Sequence, residues 1–154
     1  MQPNNNLICP TDGVQINETK VRLVAGLVLL AGITYLLMGR AAFGWLALPL
    51  LLTLDFGLRS FDLGRYSPFG TVADWGVKAL RLPYKGTDQA PKRFAARIGL
   101  GFGLLISTLH LVGVPTIIPT TILTVFATLE SVFGFCAGCY VYTFSTRLLP
   151  KATN

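Results

Sequence analysis

A carboxylate and two thiols interrupt the longest apolar stretch of the chain: Glu130, Cys136 and Cys139. An ionisable residue inside a membrane span costs roughly 2.5–3.5 kcal/mol on insertion scales, so Glu130 is a functional candidate by default. Cysteines three residues apart share one helix face. Their sulfurs could exchange disulfides, accept sulfur, hold a soft metal, or simply pack. A thiol becomes strongly reactive when a helix N-terminus or a nearby cation stabilises its thiolate. Here the apolar run places both cysteines well within a helix. An unbroken helix disfavours a strain-free disulfide, so reduced thiols or ligands are expected unless the helix breaks.

Cys9, followed by Pro10, is the third thiol. Three thiolates suit zinc or copper, yet the sequence near them offers no fourth Cys or His. Metal binding at Cys9, Cys136 and Cys139 is therefore not favoured, and no other cofactor is identified. On an ideal helix Glu130 lies about 120° from Cys136 and about 180° from Cys139, so it faces a different neighbour. The candidates are an arginine partner (Arg22, Arg59 or Arg97) or a proton-handling role. A second polar set consists of Asp55 and Arg59, spaced to pair along a helix, with the adjacent pair Lys92 and Arg93. These are either helix-end ion pairs or an anion-attracting vestibule for phosphate, a sulfur oxyanion or an acidic partner. His110, alone near a helix end, reads as an interfacial residue.

The elements that must position these groups are apolar helices. Four spans are expected, at about 21–38, 41–58, 95–114 and 116–146, since about 18–20 apolar residues cross a ~30 Å hydrocarbon layer. Asn17 or Thr19 is placed to cap the first. Gly99 with Gly103, and Gly134 with Gly138, give small-xxx-small faces for close packing or oligomerisation. The connection 60–94 is the only long polar one. Within it, Ser67-Pro68 opens a short amphipathic helix suited to the interface, and residues 85–88 read as a turn. The fold class is thus an all-α membrane protein: a four-helix transmembrane bundle with one interfacial helix, in a single domain over 1–154.

Composition agrees. The chain has 52% hydrophobic and 13% charged residues and a mean hydropathy of +0.58, whereas soluble domains carry about 25% charged residues. A net charge of +6 invites a nucleic-acid reading, but the cations flank apolar spans, where topology accounts for them. Three cysteines do not make a secreted disulfide framework, and no cleavable signal peptide is seen. Arg59, Arg65, Lys78, Arg81, Lys85, Lys92 and Arg93 crowd the long connection, against Arg40 in the short ones. The positive-inside rule then puts that connection and both termini in the cytoplasm. No GxGxxG, P-loop, HExxH or Ser/His/Asp pattern is present.

Cys9-Pro10, Asn17, Arg22, Asp55-Phe56-x-x-Arg59, Ser67-Pro68, Pro91-Lys92-Arg93-Phe94-Ala95 and Glu130-x5-Cys136-x-Gly138-Cys139 together resemble a bacterial membrane family known as domain of unknown function 4395, over about residues 7–145. The resemblance implies a bacterial inner-membrane protein without established activity. It also implies occasional company with thioredoxin-like or sulfurtransferase proteins. Three functions stay open: a membrane thiol protein working with such a partner, an oligomeric transporter or channel for a small anion, and an assembly subunit without chemistry.

Overall fold

The computed structural model describes residues 14–38, 46–134 and 144. Among them the chain is all-helical apart from a small ribbon. The elements are β1 (Gln15–Asn17), α1 (Glu18–Met38), α2 (Ala47–Ser60), a 3-10 turn at Gly64–Tyr66, α3 (Pro68–Ala79), β2 (Gly86–Asp88), α4 (Gln89–Val112) and α5 (Ile117–Phe133).

Local chemistry sets the boundaries. The Asn17 side chain accepts the Thr19 N–H at 3.0 Å and caps α1, as its type and place anticipate. Ser67 caps α3 by accepting the Gly70 N–H at 2.9 Å, with Pro68 at the first helical position, where its missing N–H costs nothing. Helix α4 ends at Gly113, whose φ of 82° lets the Val114 N–H turn back to the Leu109 carbonyl at 2.9 Å.

Two expectations are corrected. Residues 86–88 are not a turn but a strand, antiparallel to β1 with Ile16 opposite Thr87. This ribbon holds the starts of α1 and α4 side by side. Nor does one helix run from 116 to 146. Helix α5 stops at Phe133, and Gly134 is left-handed at φ 66°. Gly134 therefore terminates a helix instead of lining one, because glycine alone adopts that conformation without a Cβ penalty. Gly138 lies outside the described residues.

The long helices pack as two pairs, α1 with α5 and α2 with α4. In the second pair Gly99 meets the Phe56 ring and Gly103 meets Thr53, where an added Cβ would sit 2.5 and 2.8 Å from the neighbour. That is the close approach expected of this glycine pair. In the first pair, Gly32 receives Thr124 and Gly26 receives Ser131. The core runs through Val28, Tyr35, Leu52, Phe56, Ala96, Ile106, Leu123 and Ala127.

Helices α1 and α4 start at the end where α2 and α5 finish. Lys92, near the start of α4, reaches Glu130, near the end of α5. At the opposite end, Tyr35 of α1 reaches His110 of α4 and Thr116 just before α5. Almost all charge in the described residues is thus gathered at one end. Among the described residues two helices are long and apolar enough to cross a membrane, Glu18–Met38 and Lys92–Val112. Helices α2 and α5, at 14 and 17 residues, are shorter than the about 20 that a perpendicular span needs.

Candidate anion-binding site at the charged end

Asp55 is the most buried charged group of this end, with 0% exposure. One carboxylate oxygen accepts the Ser67 hydroxyl and the Phe69 N–H, the latter at 2.9 Å. It therefore ties the end of α2 to the start of α3, where an anion is favoured by the exposed N–H groups and the helix dipole. The other oxygen has no hydrogen bond among the described residues and lies 3.7 Å from the Arg59 guanidinium. The expected Asp55–Arg59 pair exists, but at a distance too long for a hydrogen bond.

Arg59 is consequently underused. Its guanidinium carries five N–H donors, yet among the described residues it makes only that long ion pair and a contact with the Phe56 ring, 5.8 Å from the centroid. Its side chain keeps 19% exposure. The accessible part opens into two cavities that both include Arg59, Lys92 and Ala96.

The first cavity, about 310 Å³, occupies the seam between the two helix pairs. Val28, Leu123, Phe126 and Ala127 line it from α1 and α5, and Phe56 and Phe102 from α2 and α4. Its charged groups are Arg59, Lys92 and Glu130. The second, about 250 Å³, lies between the ribbon, α1, α3 and the start of α4. Lys20, Arg59, Arg65, Lys92 and Arg93 line it, with Asp62 as the only carboxylate of its lining.

Ion pairs fix the walls. Lys92 donates to Glu130 at 2.9 Å and so links the two pairs across the seam. Of the two readings of Glu130, an arginine partner or a proton-handling group, the first is met by a different cation: its partner is Lys92, near the start of α4. Arg93 pairs with Asp62 at 2.6 Å, and Gln89 donates to the same carboxylate at 3.1 Å. Lys20 pairs with Asp74 of α3 at 2.6 Å. Arg22 joins neither cavity. It pairs with Glu18 at 2.8 Å and lies over Gly134, where any Cβ would collide with its guanidinium. There it faces the carbonyl end of α5, a favourable place for a cation. Lys85 holds Glu18 from the other side at 2.8 Å.

Of the candidate residues, then, Arg59, Lys92, Glu130 and Arg93 come together. Asp55 supports them from beneath, and Arg22 stands apart. Cys9, Cys136 and Cys139 lie outside the described residues. Among those described, no group of three or more His, Cys, Asp or Glu side chains could hold a metal ion. Sequence reasoning missed Lys20, Asp62 and Arg65 as vestibule walls. Lys20 was readable as the polar turn of a helix facing a basic connection, but Asp62 and Arg65 depend on the turn after α2.

No curated protein matches the chain, and no solved structure does. Residues 16–147 match the family described as Domain of unknown function (DUF4395). That span includes every described element from within β1 to the end of α5, and the chain belongs to this family.

Proposed function

We propose that this chain is a multi-pass membrane protein whose charged end faces the cytoplasm and binds an oxyanion, as the receiving site of a small oligomeric carrier. Large apolar side chains stand exposed on every long helix, among them Leu37 at 82%, Leu54, Leu111 and Ile118. A water-soluble monomer rarely shows so much contiguous apolar surface. Hydroxyls on the helices return to the carbonyl four residues back, as at Thr34, Thr108, Thr124 and Thr128. That pairs these four donors within their own helices, as a hydrocarbon environment demands; the buried Thr120 hydroxyl is left without a partner among the described residues. Tyr66, Trp75 and Tyr84 are exposed beside Arg65, Lys78 and Arg81 around the 60–94 connection. This is the composition of a membrane–water interface on the positive side, and it suits α3 lying along that surface. All four long helices are placed in the bilayer in this reading.

The observation that carries the anion assignment is the junction of two cavities at Arg59. There a half-hidden guanidinium has donors to spare beside Lys92, in a wall of five cations. Guanidinium groups bind oxyanions through parallel hydrogen bonds. Ligand linkage tests this. Phosphate or sulfate should raise the Tm of the purified protein in a saturable way, and Arg59→Gln should remove the saturable part while leaving the general salt effect. Equal stabilisation of both proteins would sink the assignment.

A thiol role with a thioredoxin-like or sulfurtransferase partner remains the second reading. The end of α5 at Gly134 favours it, since the helix that carries Glu130 does not run on unbroken to Cys136. Labelling of Cys136 or Cys139 by an impermeant maleimide from the cytoplasmic side, increased by reductant, is expected. Inert thiols under every condition would end this reading.

A further inference from the structure

We infer that the anion taken by this site is amphiphilic: an oxyanion head on a single hydrocarbon tail, with the head in the basic cavity at Arg59 and the tail in the apolar seam. The inference rests on the anion reading above and names its substrate class.

The two cavities differ sharply in chemistry and share Arg59, Lys92 and Ala96 in their walls. The basic cavity has five cations in its wall. Lys20, Lys92 and Arg93 are engaged by Asp74, Glu130 and Asp62, while among the described residues Arg59 has only the long pair with Asp55, so it is Arg59 with Arg65 that offers complementarity to an anion. The seam cavity offers the reverse: aromatic and aliphatic side chains throughout, with charge only at Arg59, Lys92 and Glu130. A small hydrated oxyanion would use the first and gain nothing from the second. A neutral hydrocarbon would use the second and leave the Arg59 donors without a partner, at the cost of an unsatisfied polar group. Only a molecule with both parts uses the whole space.

The size of the seam selects one tail. At about 310 Å³ it stands at the lower end of ligand pockets, room for one chain of moderate length and too little for the paired long chains of a bilayer lipid. The seam also lies where such a tail would come from. It separates helix pairs whose outer faces carry exposed apolar residues such as Leu30, Leu104 and Val125. Since a hydrocarbon tail gains little by leaving lipid for an apolar cavity, the head supplies selectivity and the cavity supplies fit.

The Lys92–Glu130 bridge has a defined part in this. It crosses the seam at the rim where head and tail would meet. An arriving oxyanion competes with the Glu130 carboxylate for the Lys92 ammonium. Ligand entry therefore loosens an ion pair that links the two helix pairs at this end.

The test uses the full-length protein in nanodiscs of zwitterionic lipid, with a ten-carbon alkyl phosphate carrying a diazirine at its tail tip. Photolysis followed by peptide mapping should place the label on residues 95–102 of α4 and 123–127 of α5. Unlabelled decyl phosphate should compete at much lower concentration than inorganic phosphate. Arg59→Gln should lower labelling at least about tenfold, the loss of a charge-assisted hydrogen bond. Ala127→Phe, or the milder Ala95→Leu, should block tail labelling while leaving phosphate-dependent thermal stabilisation in place. Labelling spread over Leu30, Leu104 and Val125 would overturn the inference. So would cavity labelling that ignores Arg59→Gln, which would mark an ordinary lipid tail. Absent tail labelling with intact phosphate stabilisation would overturn the amphiphile alone and leave the anion site standing; loss of both would remove the two together.

Discussion

The interface within each helix pair and the seam between the pairs are built from opposite materials. Within the pairs, backbones come close over glycine: Gly99 on Phe56, Gly103 on Thr53, Gly32 on Thr124. Between the pairs, the β1–β2 ribbon and polar links at the two ends add to the shared apolar core, around a cavity. At one end Tyr35 shares its hydroxyl with His110 at 2.7 Å and Thr116 at 3.2 Å. At the other, Lys92 meets Glu130. In the bilayer placement proposed above, where no hydrophobic driving force acts between helices, close packing would supply the stability of each pair. A seam closed by hydrogen bonds and an ion pair can open to a competing polar ligand, whereas a glycine contact cannot. The difference separates the parts that hold the fold from the part that can respond.

Substitutions at the two kinds of interface should therefore differ in kind as well as size. The largest loss is expected for Gly99→Leu, which drives a side chain into the Phe56 ring. Overpacking on this scale costs about 3 kcal/mol, read as a drop in Tm and in monodisperse yield. Lys92→Met should cost about 2 kcal/mol, below the usual figure for a buried pair because Glu130 keeps 20% exposure. The double change Lys92→Met with Glu130→Leu should recover most of that stability but not anion binding. A double-mutant cycle by thermal unfolding checks it, and additive losses would deny the clamp.

Smaller effects belong to the ends. Tyr35→Phe removes both hydrogen bonds at the uncharged end and should cost about 1 kcal/mol without changing anion-dependent stabilisation. Ser67→Ala removes the cap of α3 and one donor to Asp55, again about 1 kcal/mol. Because Asp55 sits beneath Arg59, this change should also weaken anion binding slightly, which Tyr35→Phe should not. Equal behaviour of the two variants in an anion titration would erase the distinction between the ends.

What could be read from the sequence was local. Asn17 capping α1, the Asp55–Arg59 spacing, Ser67-Pro68 opening α3, and the Gly99–Gly103 face each depend on residues within about one turn of one another. The convergence of polar groups on one end followed from charge and span order. The partner of Glu130 did not, because Lys92 and Glu130 are brought together by the packing of α4 on α5, and three arginines were equally placed on paper. The ribbon was illegible because three-residue strands carry no periodicity and the partners lie in distant segments. Gly134 was ambiguous in principle: glycine in an apolar run serves equally for packing and for ending a helix, and only the left-handed φ decides. The seam cavity has no sequence signature, since it is defined by what four helices leave unfilled.

The central claim is that the junction of the two cavities at Arg59 is an anion site. Equilibrium dialysis of radiolabelled phosphate against the purified protein in zwitterionic nanodiscs tests it most directly. The account predicts saturable binding that is lost in Arg59→Gln and retained in Tyr35→Phe. Binding that fails to saturate, or that survives Arg59→Gln unchanged, would contradict it.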